Sequence, residues 1–242
     1  MTRLRAIDLE RTAIVTGAGG GMGRATVARL LRDGWSVVGV DHYSTGVPEN
    51  DAATRFLPAD VRDPELPALV RRATDGLPPV AGLVNLVGAS IGDRLAQLTD
   101  EDWQTSFDIN VTPAMRLMRD RHAELAAMRG SIVNVGSPVG TIGARKPSYA
   151  ASKAALVGLT MSAARNLGPD VRVNLLLPGP TITGMTADWD DERRRHIADG
   201  SFLRRFCLPD EIAAVIAFLL GPDSSAMSGS IVDLTAGTMF GH

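Results

Sequence analysis

The sequence predicts an α/β fold: a doubly wound (Rossmann), mostly parallel seven-stranded sheet between two layers of helices. Three observations lead there. Short runs rich in Val and Ile alternate with longer amphipathic segments, with no repeat, low-complexity tract or polar linker between them. The runs are apolar on both faces, as strands covered by helices on two sides must be. A glycine cluster follows the first run directly and opens the first amphipathic segment. With 242 residues, 45% of them hydrophobic, the chain can build one sizeable core, so 1–242 is expected to form a single domain.

The elements follow in order. "TAIVT" (12–16) is the first strand, and the segment after the glycines, about 22–33, is a helix. "SVVGVD" (36–41) and "RFLPAD" (55–60) are the second and third strands, with a helix over 64–75. "VAGLVNLVG" (80–88) is the fourth strand, and one long helix is expected over 100–127. "SIVNVG" (131–136) is the fifth; the helix over 148–167 is stopped by the Gly-Pro of "NLGPD". "VRVNLLL" (171–177), a helix over 209–220 and "SIVDL" (230–234) complete the set. Right-handed crossovers between parallel strands put helices on both faces.

Composition excludes several classes. A formal net charge of -2 gives no basic face for nucleic acid. Cys207 is the single cysteine, which rules out an intrachain disulfide framework and suits a reducing compartment. The N-terminal "MTRLRAIDLERT" lacks the apolar stretch of a signal peptide, and "IAAVIAFLLG" falls short of a membrane span. A cytoplasmic protein without a membrane partner is the expectation. No His/Cys/Asp cluster has metal-ligand spacing, so no metal is expected.

Gly17, Gly21 and Gly23 lie between strand and helix, where glycine lets the backbone turn sharply and approach a pyrophosphate favoured by the helix N-terminus. A glycine pattern alone is weak, since tight turns use glycine anyway; its position at the start of a βαβ unit is what strengthens it. Asp41 ends the second strand at about the 20-residue distance at which a carboxylate accepts from adenosine ribose hydroxyls and repels a 2′-phosphate. No Lys or Arg stands at position 20 or directly follows Asp41, so NAD is expected over NADP, with Arg24 and Arg55 arguing otherwise. In "PSYAASKAAL" (147–156), Tyr149 and Lys153 are four apart with small residues between, which puts phenol and ammonium on one helix face. Such a pair alone is more often plain surface.

Taken together, these motifs resemble the short-chain dehydrogenase/reductase family, in particular its single-domain branch that includes the 3-oxoacyl carrier-protein reductases. "TGAGGGMG", including Met22, is similar to the family's T-G-x-x-x-G-x-G, and "ADV" brings Asp60 and Val61 to the adenine position. "NLVG" brings Asn85 and Gly88, "DIN" brings Asn110, "VGSPVG" brings Ser137 and "YAASK" brings Tyr149 and Lys153. "PGPTIT" matches P-G-x-x-x-T with Pro178, Gly179 and Thr183. The resemblance implies that Tyr149 exchanges a proton with a substrate oxygen while Lys153 lowers its pKa and holds the nicotinamide ribose. It implies that Ser137 orients the substrate, Asn110 holds a relay water, and Thr183 with the backbone near Ile182 fixes the carboxamide. A small-molecule alcohol or ketone is the implied substrate, interconverted by hydride transfer. The family often assembles through the helices expected here at 100–127 and 148–167, so a homo-oligomer, tetramer or dimer, is expected, with the apolar tail at Met239 and Phe240 near a neighbour's site.

The chain departs from the family at four places. Leu86 and Val87 replace the middle of N-N-A-G; the loop from Ser137 to Tyr149 is one residue short and carries Arg145 and Lys146; Thr235-Ala236-Gly237 replaces D-G-G; and Arg204 stands where Gly is common. These motivate an alternative, a catalytically silent NAD(H)-binding regulatory or scaffold protein, although no reacting group is lost. Reduction of a carbon–carbon double bond fits less well, because that branch usually alters the Tyr–Lys spacing. "GASIG" (88–92) imitates a hydrolase nucleophile elbow at Ser90, but no convincing helix follows it, and His122 and His196 lie in charged, solvated stretches. Residues 183–206 are expected to form the substrate-binding segment, with Met185, Trp189 and Phe202 as candidate walls.

Overall fold

The computed structural model describes residues 11–42 and 50–238. Among these residues, seven strands form one sheet: β1 (Thr12–Thr16), β2 (Ser36–Asp41), β3 (Thr54–Pro58), β4 (Val80–Asn85), β5 (Ser131–Val135), β6 (Arg172–Pro178) and β7 (Ile231–Leu234). Their order is β3-β2-β1-β4-β5-β6-β7, and every pairing is parallel. The helices are α1 (Gly21–Arg32), α2 (Leu66–Thr74), α3 (Asp100–Asn110), α4 (Thr112–Ala127), α5 (Val139–Ile142), α6 (Pro147–Leu167), α7 (Asp191–Asp199) and α8 (Pro209–Leu220).

The two-faced strands make two cores. Ala13 and Val15 of β1 face α1 and α8, packing with Val27, Leu30, Ile212 and Ile216. Ile14 points to the other side, among Val38, Leu66, Val70, Leu83, Leu117 and Ile132. Truncating any of these large buried side chains to Ala is expected to destabilise by about 2–5 kcal/mol. The chain order reverses between β1 and β4, and a doubly wound sheet opens a crevice there, outside the carboxyl ends of its strands.

One expected helix is two. The run over 100–127 breaks at Val111 (φ -123°, ψ -53°), between α3 and α4. Pro113 is the cause: it has no N–H to give to the preceding turn and its ring collides with the carbonyl four residues back. Thr99 caps α3 by accepting the Asp102 N–H at 3.1 Å, ahead of an acidic first turn. The break leaves Asn110 as the last residue of α3, aimed at the sheet. Met239 and Phe240 lie outside the described residues.

Candidate active site

The glycine turn is built by close approach. Gly17 has φ +73°, and a Cβ on it would meet the backbone of Val87 at 3.1 Å. A Cβ on Gly23 would lie 1.9 Å from the Gly17 carbonyl oxygen, so nothing larger fits there. Gly21 faces Thr183, whose Cγ2 would sit 3.0 Å from an added Cβ. The turn thus delivers the N-terminus of α1, with no side chain in the way, to the crevice where a pyrophosphate is favoured. At the end of β2, Asp41 Oδ2 accepts the Gly19 N–H at 2.9 Å, which fixes its carboxylate beside the same turn. These residues fit a dinucleotide on their own geometry. Asp60 is gripped by Arg62, whose Nη2 lies 2.6 Å from Oδ2, and this holds its carboxyl below the usual carboxylate range; Val61 beside it is buried.

The reacting end occupies a cleft of about 870 Å³ lined by Met22, Gly88, Ser137, Tyr149, Lys153, Pro178, Gly179 and Thr183, among others. Ser137 lies just beyond β5, and Tyr149 and Lys153 lie in the first two turns of α6. Close packing aligns them: a Cβ on Gly140 of α5 would come within 2.7 Å of the Ala154 backbone nitrogen in α6. Tyr149 shares a hydrogen bond with Ser137, yet burial dominates and pushes the phenol's pKa up. This corrects the expectation of a phenol pulled down by its lysine neighbour. Lys153 is fully buried, its Nζ donates to the Val135 carbonyl at 3.1 Å and sits 5.9 Å from the Tyr149 ring centre, and desolvation lowers its pKa to about 8. A Cβ on Gly88 would lie 2.8 Å from that Nζ, so glycine is needed to admit the ammonium.

Asn110 acts as a clamp. Its Nδ2 donates to the Ala89 carbonyl at 3.0 Å and to Ser152 Oγ at 2.8 Å, while its Oδ1 accepts the Ala89 N–H at 2.8 Å. The side chain therefore ties the loop after β4 to α6. Among the residues expected at the nicotinamide end, Asn85, Asn110 and Ile182 do not line the cleft. Asn85 lies beneath it, donating through Nδ2 to Asn134 at 2.8 Å, with Asn134 passing the chain on to Thr160 at 2.9 Å. Ile182 is 52% exposed, and its N–H is taken by the Cys207 carbonyl at 3.2 Å. Thr181, not singled out in the sequence, is buried and lines the cleft instead. The parallel bridge between Thr181 and Cys207 sets this phase, and nothing local in "PGPTIT" announces it.

The segment 183–206 forms a short 3-10 turn, α7 and a return loop. Trp189 lines the cleft, packs edge-on against Phe206 at 6.0 Å and carries the Arg193 guanidinium 4.1 Å above its ring. Phe202 is 75% exposed and outside the cleft, held by its N–H on the Gly237 carbonyl. Two of the family departures share a conformation: Arg204 and Ala236 have φ of +50° and +55°. The backbone has kept a glycine-like turn where the glycine has gone. Among the described residues no cluster of His, Cys, Asp and Glu is placed to hold a metal, and no helix is long and apolar enough to cross a membrane.

Residues 17–238 match the family described as enoyl-(acyl carrier protein) reductase. The chain is 33% identical to a 3-oxoacyl-[acyl-carrier-protein] reductase of Vibrio cholerae, over 96% of this chain and 98% of that one. It is 32% identical to an acetoacetyl-CoA reductase of Allochromatium vinosum, over 97% of this chain and all of the relative. Among solved structures, a variant of the actinorhodin polyketide ketoreductase with NADPH superposes with a TM-score of 0.86 at 27% identity, covering 97% of this chain and 99% of that one.

Proposed function

The chain belongs to the short-chain dehydrogenase/reductase family of oxidoreductases, and from that premise we propose that it interconverts a ketone and a secondary alcohol with NAD(H). The observation that carries this reading is that Ser137, Tyr149 and the buried Lys153 line one cleft together with Met22, which sits between Gly21 and Gly23 of the glycine turn. When bound, the nicotinamide supplies or accepts the hydride. The N-terminus of α1 and the bare backbone of Gly17, Gly21 and Gly23 would hold the pyrophosphate, Asp41 the adenosine ribose, and Thr181 and Thr183 the carboxamide end. Lys153 would bind the nicotinamide ribose hydroxyls.

In the direction of reduction, the Tyr149 phenol donates its proton to the carbonyl oxygen as that oxygen gains negative charge. Burial keeps this proton on the phenol at neutral pH, so the acid form stands ready. Ser137 hydrogen-bonds the same oxygen and holds it against Tyr149. Lys153 then stabilises the phenolate left behind, which favours transfer of the proton to the substrate oxygen. In the oxidising direction the same phenolate takes the alcohol proton. Asn110 fixes α6 against the loop after β4, which would hold these groups within reach of one atom.

Asp41 favours NAD(H), because a 2′-phosphate would meet its carboxylate next to Gly19. Arg55 is turned away from it, donating to the Ala73 and Asp75 carbonyls. The opposing observations are Arg24, which donates to the Gly19 carbonyl at 2.5 Å, and the NADPH held by the similar polyketide ketoreductase. Exposed Trp103 on α3 and Met161 on α6 support assembly of several copies through these packed helices, and a monomer by light scattering would refute it. The test of function is fluorescence titration with NADH and NADPH, followed by ketones, secondary alcohols and enones. Turnover of a ketone that falls about 10²–10⁴-fold in Tyr149→Phe, with dinucleotide affinity kept, supports the proposal. Turnover of enones alone, or full activity in that variant, defeats it.

A further inference from the structure

The rim of the reaction cleft carries an excess of positive charge that the hydride-transfer chemistry does not use. Arg94 comes from the strand-to-helix connection after β4, Arg145 and Lys146 from the loop between α5 and α6, and Arg193 from α7; all line the same cleft. Asp93 and Asp188 are the acidic residues among its lining, and neither forms an ion pair with these bases among the described residues.

Arginines elsewhere on the surface differ among themselves: Arg32, Arg72 and Arg165 meet no carboxylate among the described residues, and others do. Arg29, Arg62, Arg71 and Arg205 each meet a carboxylate. The guanidinium groups of Arg94, Arg145 and Arg193 engage no hydrogen bond or ion pair among the described residues. Arg193 is nonetheless held: its face stacks on Trp189 at 4.1 Å, and stacking leaves the N–H edge available to a ligand. Lys146 is held too, by donation to the Ser90 carbonyl at 3.0 Å, which ties the two loops that carry Arg94 and Arg145. The whole chain is slightly acidic, at a formal net charge of -2, so this concentration of cations is local. Clefts lined by one sign of charge raise the local concentration of oppositely charged ligands.

Resting on the reading of this cleft as a carbonyl-reducing site, we infer that the substrate carries an anionic group, carboxylate or phosphate, held by Arg94, Arg145 and Arg193 at the rim. The group lies away from the reacting carbon, which must reach Tyr149 and Ser137. Planar guanidinium forks suit both oxyanions, since each can accept two parallel hydrogen bonds. The three arginines come from three separate segments, so the anion would also draw the 183–206 segment toward the loops opposite.

The experiment compares two matched pairs, levulinate with methyl levulinate and dihydroxyacetone phosphate with dihydroxyacetone, on the protein holding its tighter-binding dinucleotide. Calorimetry reads binding and absorbance at the reduced nicotinamide reads turnover. At least one anion is expected to bind roughly tenfold more tightly than its neutral partner, and the preference should shrink as salt shortens the screening length from about 10 Å at 0.1 M to about 3 Å at 1 M. Changing Arg94, Arg145 and Arg193 together to Gln should abolish the preference, and Arg145→Glu alone should weaken it. Arg32→Gln, which also removes a positive charge but on α1 and outside the cleft lining, should leave it. The pair that shows the preference identifies carboxylate or phosphate. Equal binding within both pairs, no binding of either anion, or a preference that survives the triple change overturns the inference. Turnover of neutral ketones without an anion preference would leave the reductase reading standing and this inference refuted. Anion preference in binding with no turnover would do the reverse.

Discussion

Replacing Lys153 by Met should stabilise the dinucleotide-free protein at neutral pH while removing the residue expected to hold the ribose. Burial lowers the Lys153 pKa from 10.5 to about 8, with no carboxylate to offset it. At about 1.36 kcal/mol per pKa unit, keeping this ammonium charged inside the fold costs about 3 kcal/mol at pH 7. Met fills a similar volume without charge, but leaves the Val135 carbonyl without its Nζ donor, a loss of about 1 kcal/mol. The net gain is about 2 kcal/mol, or roughly 4–8 °C in Tm for a chain of this length. The pH dependence has a defined sign. Between pH 8 and 10.5 the unfolded chain binds the lysine proton and the folded chain does not, so the parent gains stability as pH rises through that window and loses it as pH falls through 8. The variant's advantage should therefore shrink by about 2 kcal/mol between pH 7 and 9.5. Tyr149 adds the opposite trend only above its unfolded value of 10, because its folded pKa is raised. Thermal unfolding of both proteins at pH 7 and 9.5, without dinucleotide, measures this. A variant less stable than the parent at pH 7, or an advantage independent of pH, would refute the reasoning.

Other outcomes follow from the same geometry. Gly23→Ala forces a Cβ to within 1.9 Å of the Gly17 carbonyl, so dinucleotide affinity should fall by at least a hundredfold or the fold should be lost; affinity within twofold of the parent in a titration would contradict the packing. Asp41→Asn removes the charge beside Gly19 and should raise the affinity for NADPH relative to NADH roughly tenfold, about 1.4 kcal/mol, read in paired fluorescence titrations. Ala236→Gly relieves a left-handed residue at φ +55° and should stabilise by about 0.5–1 kcal/mol in denaturant unfolding, the strain released outweighing glycine's greater unfolded freedom. Arg204→Gly, at φ +50°, should behave alike.

The fold was legible because its signals are periodic and repeated. Every expected strand is present with shifts of a residue or a few, and the runs apolar on both faces match the two cores on Ala13 and Ile14. The helix over 100–127 was misread because apolar spacing continues smoothly across Pro113, while the backbone cannot. The charge run within 183–206 reads as a solvated helix face, and α7, with no buried residue, agrees with that.

The site was legible where spacing alone fixes geometry and illegible where a distant partner decides. Tyr149 and Lys153 share a helix face whatever surrounds them, and Gly17 and Gly23 meet within one turn. Thr181 and Ile182 differ by one position, and in an extended segment one position exchanges inside for outside. Their phase is set by Cys207, a residue far along the chain, through the backbone bond that takes the Ile182 N–H. Asn110 shows the same limit from the other side. Its arrival near the cleft follows from "DIN", but its task depends on Ala89 and Ser152, which accept and donate on all sides of the amide. The direction of the Tyr149 pKa was lost for a related reason. Proximity to Lys153 is written in the spacing, whereas the burial that raises the phenol's pKa, against the lowering hydrogen bond with Ser137, depends on the folded surroundings. Burial makes the phenol hold its proton more tightly, and a positive charge beside it would ease that proton's release.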